Sequence, residues 1–160
     1  MAIFAELDQD KIVIRRHVIG DDIPTTDGPL GENDMHVDGE EYCRALFNIH
    51  KVAGFYKQTS PTASFRGKTA QKGDTYDPVR DKFISQQPFP SWTLNEEALI
   101  WQAPTPPPIA NNPSLREYTH DGATLLYDLQ WDEDNLRWQG VKTDGSTSYW
   151  NNDTSTWTEE

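Results

Sequence analysis

Trp131-Asp132-Glu133-Asp134-Asn135-Leu136-Arg137-Trp138 is the stretch that decides how this 160-residue chain folds, because its pattern recurs along the second half. The unit is an aromatic or large apolar residue, then Asp or Asn, four mostly polar residues, one spacer, and a second aromatic at i+7. It returns as Tyr76-Asp77-Pro78-Val79-Arg80-Asp81-Lys82-Phe83, more loosely as Leu94-Asn95-Glu96-Glu97-Ala98-Leu99-Ile100-Trp101, and as Trp150-Asn151-Asn152-Asp153-Thr154-Ser155-Thr156-Trp157. The units start 18, 37 and 19 residues apart, a period of about 18 to 19 with one unit missing where the prolines lie. An Asp or Asn entering a polar tetrapeptide favours a type I turn, since its side chain accepts from the backbone two residues on. Each unit therefore predicts a tight hairpin. Closing a four-residue loop sets positions 1 and 8 opposite each other, where an aromatic pair adds up to about 1 kcal/mol. The twelve Trp and Tyr residues thus have a structural use, set against the other reading of an exposed aromatic row that stacks on sugars or nucleobases.

The flanking chain extends this β reading. Ala2 to Leu7 and Ile12 to Ile19 predict a hairpin closed by Asp8-Gln9-Asp10-Lys11, with His17 on the strand surface. Gly20 to Asp38 is polar and rich in Pro and Gly, and reads as an ordered loop or arm, or as a partly disordered loop. Asp38-Gly39-Glu40-Glu41 followed by Tyr42, Cys43, Leu46 and Phe47 predicts one short amphipathic helix over about 39–48, with acids at its start for capping. Its apolar face is expected to cover the N-terminal hairpin. Phe55 to Thr59 reads as a strand, and Phe65 to Thr75 as another that leads into the first octapeptide. Five strands are predicted after residue 115, spanning 116–119, 124–131, 137–142, 147–151 and 156–159. The turns between them include two Asp-Gly pairs, strong hairpin signals. Leu125, Tyr127, Leu129 and Trp131 alternate on one face of this meander, which then needs a cover. The fold class that follows is mainly β, antiparallel hairpins and a C-terminal meander with one short helix.

Three segments follow from the same reading: an N-terminal α+β domain over 1–103, a linker over 104–115, and the meander over 116–160. The linker rests on Ala103-Pro104-Thr105-Pro106-Pro107-Pro108, which favours a stiff polyproline II spacer. In Gln87-Pro88-Phe89-Pro90-Ser91-Trp92 each proline removes a ladder donor, so an extended segment anchored by Phe89 and Trp92 is expected.

Composition narrows the function. A hydrophobic fraction of 35% points to extended surface rather than one large core. The net charge of −12, with no cluster of Lys and Arg, argues against nucleic acid. No apolar run approaches the roughly 20 residues of a membrane span, and Met1 to Glu6 lacks the marks of a signal peptide, so a soluble chain is expected. One cysteine, Cys43, in an apolar helical pattern reads as a packed thiol. No paired carboxylates, Ser, His and Asp set or Gly-rich phosphate loop stands out, so neither a catalytic residue nor a cofactor is assigned. His36, Asp38 and Glu40 alternate as metal ligands do, but they precede a helix start where acids serve as caps, and no metal is assigned. The acidic turns lack the alternating ligands and glycine of a calcium loop.

A family resemblance adds to this. The segments Phe4-Ala5-Glu6-Leu7-Asp8, Tyr42-Cys43-Arg44-Ala45-Leu46-Phe47, Tyr56-Lys57-Gln58-Thr59-Ser60, Tyr76-Asp77, Pro88-Phe89-Pro90-Ser91-Trp92-Thr93-Leu94-Asn95-Glu96-Glu97 and Trp101-Gln102-Ala103-Pro104 resemble the small virion structural proteins of marine tailed phages, especially cyanophages. The likeness spans most of 2–108. This chain differs in its longer tail, with two aromatic hairpins, and in the length of its 20–38 loop. The resemblance implies a non-enzymatic accessory component of the particle, a capsid decoration or a tail- or fibre-associated protein. It would be assembled in the host cytoplasm in multiple copies, with major capsid, tail or fibre proteins as partners. The alternative is a carbohydrate-binding module in which Trp138, Tyr149, Trp150 and Trp157 face solvent and meet a host-surface glycan. With Phe89 and Trp92, these are the candidate interaction residues.

Overall fold

In the computed structural model, which describes residues 1–23, 30, 37–47 (side chains from 39) and 55–159, all four octapeptides are hairpins. Tyr76 lies opposite Phe83, Leu94 opposite Trp101, Trp131 opposite Trp138 and Trp150 opposite Trp157. In three units the second residue accepts from the backbone two residues on, as its chemistry predicts, and in the third unit Asp132 Oδ1 accepts from the amide of Asn135, three residues on, at 3.2 Å. Asp77 Oδ1 accepts from the amides of Val79 at 2.8 Å and Arg80 at 3.1 Å, Asn95 Oδ1 from Glu97 and Ala98, and Asn151 Oδ1 from Asp153 and Thr154. The sixth residue is left-handed in every unit: Asp81 at φ 50°, Leu99 at 55°, Leu136 at 53° and Ser155 at 53°. That one residue brings the chain back into register.

Two compact units emerge, Met1–Gln86 and Gln87–Glu160. In the first, β1 (Ala2–Leu7) runs between β2 (Val13–Ile19) and β3 (Phe55–Thr59), antiparallel to both. The helix α1 (Val37–Phe47) covers this sheet, matching the expected element within two residues. Gly39 permits the close approach, since a Cβ there would stand 2.6 Å from Phe4 Cζ and 2.7 Å from Leu30 Cδ2. Phe4, Leu30, Cys43 and Tyr56 form the core beneath it. A second cluster joins Leu7 and Val13 to Ala70, Tyr76 and Phe83 of the hairpin β4 (Thr75–Asp77) and β5 (Lys82–Ile84). The strand expected from Phe65 shrinks to Thr75–Asp77, because Arg66 at φ 54° and Gly67 at φ 79° turn the chain out of the extended region. His17 is not a surface residue. It is half-buried, 2.7 Å from Glu6 Oε2 and stacked on Phe47 with ring centroids 4.0 Å apart. Residues 24–29 and 31–36, the bulk of the expected 20–38 loop and including His36, lie outside the described residues, as does His50.

The second unit opens with a hairpin, β6 (Thr93–Asn95) and β7 (Ile100–Gln102), followed after the prolines by a 3-10 turn at Pro113–Arg116. The expected five-strand meander is a two-stranded hairpin plus a four-stranded sheet. The hairpin is β8 (Glu117–His120) with β9 (Ala123–Leu126), closed by Asp121 at φ 49° and Gly122 at φ 76°. The sheet is β10 (Asp128–Asp132), β11 (Arg137–Val141), β12 (Thr147–Asn151) and β13 (Thr156–Glu159) in chain order. The single strand read from Thr124 to Trp131 breaks at Tyr127. Its amide donates to the Arg116 carbonyl at 2.7 Å, and its ring lies over Gly140, where a Cβ would sit 2.6 Å from Tyr127 Cδ1.

The proline run is part of this unit, not a linker between domains 1–103 and 116–160. The division falls between Gln86 and Gln87. Trp138 Nε1 donates to the Thr105 carbonyl at 2.8 Å and Trp157 Nε1 to the Leu115 carbonyl at 2.5 Å, so two indoles tie the run to the sheet. The sheet's apolar face needs no separate partner, because Phe89, Trp92, Ala103 and Leu115 pack against it. Among the described residues, no helix is long and apolar enough to cross a membrane.

Candidate functional site

Five of the six tryptophans, Trp92, Trp131, Trp138, Trp150 and Trp157, form one interlocked cluster in the second unit, and its rim carries a concave surface. Trp131 and Trp138 meet edge to face at 5.2 Å, Trp92 stands edge-on to both, and Trp150 meets Trp157 at 5.4 Å. Such geometry adds stabilisation beyond area burial, about 0.5–1.5 kcal/mol per pair. Glu133 secures the near end, accepting from Ser91 N at 2.8 Å, Ser91 Oγ at 2.7 Å and Trp131 Nε1 at 2.7 Å. The Ser91 hydroxyl, ahead of the Trp131 indole, holds that carboxyl below the usual carboxylate range. The Trp92 indole N–H is buried with no acceptor among the described residues.

Two clefts open on either side of Pro106, Pro107 and Ala110. One, of about 480 Å³, is walled by Trp92, Trp101 and Trp138, with Gln102 at its edge. The other, of about 200 Å³, lies between the prolines and Trp150, with Asn111, Asn112, Asn152 and Ser155 around it. The first falls in the size range of small-molecule pockets.

The expected interaction residues divide accordingly. Trp138 and Trp150 are only 9% and 7% exposed, and Phe89, Trp92 and Trp157 are half-buried in the same cluster. The solvent-facing row of Trp138, Tyr149, Trp150 and Trp157 is therefore not formed, because cross-strand pairing turns the tryptophans onto the face that the proline segment covers. Tyr149 lies on the opposite face, with the Arg137 guanidinium 3.6 Å from its ring centroid. Trp101, Gln102, Asn111 and Asn152 were not singled out from the sequence. The signal for the first three was the run from Ala98 to Leu115, which has no charged residue although the unit around it is strongly acidic; Asn152 sits in the turn of the last octapeptide.

The first unit holds a different constellation, a buried ionic network. Glu40 is not a solvated cap. Its carboxylate accepts from Arg66 Nη1 at 2.9 Å, Lys57 Nζ at 2.8 Å and Gln58 N at 3.1 Å. Arg66 also donates through Nη1 to the Gln58 carbonyl at 2.8 Å and through Nε to Asp81 Oδ1 at 2.7 Å, and Tyr76 donates its hydroxyl to the same Asp81 oxygen. Burial works against the Asp81 charge, but the bonds from Tyr76 and Arg66 outweigh it and hold the carboxyl below its ordinary value. Burial, and then the Glu40 charge, push the Cys43 thiol up to about 12, so it stays neutral. Among the described residues, no three His, Cys, Asp or Glu side chains are placed to hold a metal ion. No protein family, curated protein or solved structure matches the chain.

Proposed function

We propose that the chain is an accessory structural component of a tailed-phage particle that works by binding rather than catalysis. The observation that carries this reading is the outer edge of β2 in the first unit's sheet, which is unpaired among the described residues beyond Val13. On its inner side β2 pairs with β1. Ile14 and Val18 stand exposed along it. Isolated proteins blunt such edges, whereas assembling proteins add a neighbour's strand to them. The resemblance over 2–108 supports the same reading, and so does the use of Glu40, Arg66, Asp81 and Tyr76 as internal partners of one another. Charge separates the two units: residues 87–160 hold twelve acidic and three basic side chains, and most basic residues lie in 1–86. The first unit is accordingly the docking element, and the acidic second unit is the exposed one.

Quantitative mass spectrometry of gradient-purified particles tests this. The expected result is a fixed number of copies per major capsid protein, reduced by Val18→Lys, which places a charge on the outer edge of β2. Recovery of the wild-type chain only from the particle-free fraction overturns the proposal.

A further inference from the structure

From the two clefts beside Pro106, Pro107 and Ala110 we infer a binding site for a neutral oligosaccharide. The inference does not depend on the particle assignment. It rests on the chemistry of the lining. Fifteen of the 74 residues from Gln87 to Glu160 are charged, yet neither cleft is lined by a single Asp, Glu, Lys or Arg. What lines them instead is indole, proline ring and side-chain amide. A charged ligand finds no counter-ion there, and an anionic one meets the field of twelve surrounding carboxylates. An uncharged ligand with both apolar faces and many hydroxyls suits the lining on each count.

The division of labour between the clefts points to saccharide rather than to a purely apolar molecule. The larger cleft offers indole surface from Trp101 and Trp138, on which the C–H face of a pyranose can stack. The Gln102 side chain beside it accepts from Asn95 Nδ2 at 3.5 Å and keeps its own N–H donors for a ligand. The smaller cleft is polar at its rim. Asn112 uses its carbonyl oxygen to accept from Ser114 N at 3.1 Å, which leaves its amide N–H groups for a ligand, and Asn152 and Asn111 have no hydrogen-bond partner among the described residues. Side-chain amides present a donor and an acceptor side by side, which matches vicinal hydroxyls. The clefts share Pro106, Pro107 and Ala110, so a chain of sugar rings can cross from one to the other over the proline ridge. The stacking surface is pre-formed, because the Trp138 indole is fixed on the Thr105 carbonyl.

The test is saturation-transfer NMR on the full chain with neutral gluco-, galacto-, manno- and N-acetylhexosamine oligomers, alongside sialylated and sulfated oligomers and a proline-rich peptide. At least one neutral oligomer is expected to bind while the anionic ones do not. Trp101→Ala should weaken binding about tenfold. Because that change also removes the partner of Leu94, Asn152→Ala on the exposed turn serves as the second variant, with an expected loss of about three- to tenfold. Tyr149→Ala, on the opposite face of the sheet, should leave binding unchanged. The inference is overturned by transfer to none of the neutral oligomers, by binding that neither Trp101→Ala nor Asn152→Ala weakens, by preference for the anionic oligomers, or by the proline-rich peptide binding in their place.

Discussion

Replacing Arg66 by Met tests whether the buried ionic network holds the first unit together. The Arg66 side chain is 5% exposed and lies between Glu40, 6% exposed, and Asp81, 41% exposed. Methionine keeps most of the length and apolar volume of arginine but makes none of its three charge-assisted bonds, to Glu40 Oε1, Asp81 Oδ1 and the Gln58 carbonyl. Asp81 loses little, since it is wet and keeps the Tyr76 hydroxyl. Glu40 keeps Lys57 and the Gln58 amide but loses its deepest partner, and the Gln58 carbonyl loses the bond from Arg66 Nη1. Breaking a buried pair from one side costs about 3–5 kcal/mol, and the surviving Lys57 contact sets the expectation at the low end, about 3 kcal/mol.

The protein contains its own reporter for this measurement. Cys43, the one cysteine, is fully buried in the first unit, while all six tryptophans lie between residues 92 and 157 and report on the second. Under conditions where labelling follows the opening equilibrium, a loss of about 3 kcal/mol raises the Cys43 labelling rate about 150-fold. Glu40→Gln added to Arg66→Met removes the stranded charge and should recover about 1–2 kcal/mol, the range of coupling between contacting residues. A rate increase under about fivefold, or a double variant less protected than Arg66→Met alone, would refute the view that paired burial of Glu40 and Arg66 sustains this unit.

Three further outcomes follow. Gly39→Ala gains about 1 kcal/mol of helix propensity but drives a methyl group against Phe4 and Leu30, so overpacking of about 1–3 kcal/mol prevails and Cys43 labelling accelerates. Leu136→Asn, at a left-handed position that asparagine tolerates far better than leucine, should stabilise the second unit by about 0.5–1 kcal/mol, read as a higher urea midpoint in tryptophan fluorescence. For pH, the folded Asp81 carboxyl lies below its ordinary value, so its contribution is present above about pH 4 and is lost as pH falls through the folded value. Cys43 and Tyr56 are both pushed up to about 12, chiefly by burial, so their contribution is intact below their unfolded values and is lost as pH rises. The alkaline loss begins near pH 8.5 at roughly 1.4 kcal/mol per pH unit for Cys43. The helical circular dichroism signal against urea, taken across pH, should fall at both ends, and a flat alkaline limb would contradict the burial of the thiol.

What was legible in the sequence was local. Each octapeptide carries its own turn former, and the partners at positions 1 and 8 are held by backbone that the turn itself closes, so four registers followed from spacing alone. The short helix was equally local, set by acids followed by Tyr42, Cys43, Leu46 and Phe47. Contacts across long separations were not legible. The proline run reads as a spacer because polyproline is stiff by itself, and only indole donors 33 and 42 residues away make it a wall of the second unit. The break at Tyr127 is likewise hidden, since Thr124 to Trp131 alternates well, and the fault depends on Arg116 and on the space above Gly140.

The first octapeptide joins the two kinds of information. Its sixth residue, Asp81, has the left-handed backbone that the hairpin requires, at φ 50°, as do Leu99, Leu136 and Ser155 in the other units. In those three the residue completes a turn. In the first, the same local conformation brings the carboxylate to the Tyr76 hydroxyl five residues back and the Arg66 guanidinium fifteen residues back. A polar residue at a turn tip reads as solvated, so the repeat pattern that made the hairpin easy to recognise also hid the ion pair built on it. Exchanging the sixth residues of the first and third units by Asp81→Leu and Leu136→Asp would remove that long-range contact and also move the left-handed leucine from the third unit to the first. Cys43 labelling should therefore accelerate, while the urea midpoint in tryptophan fluorescence should not fall.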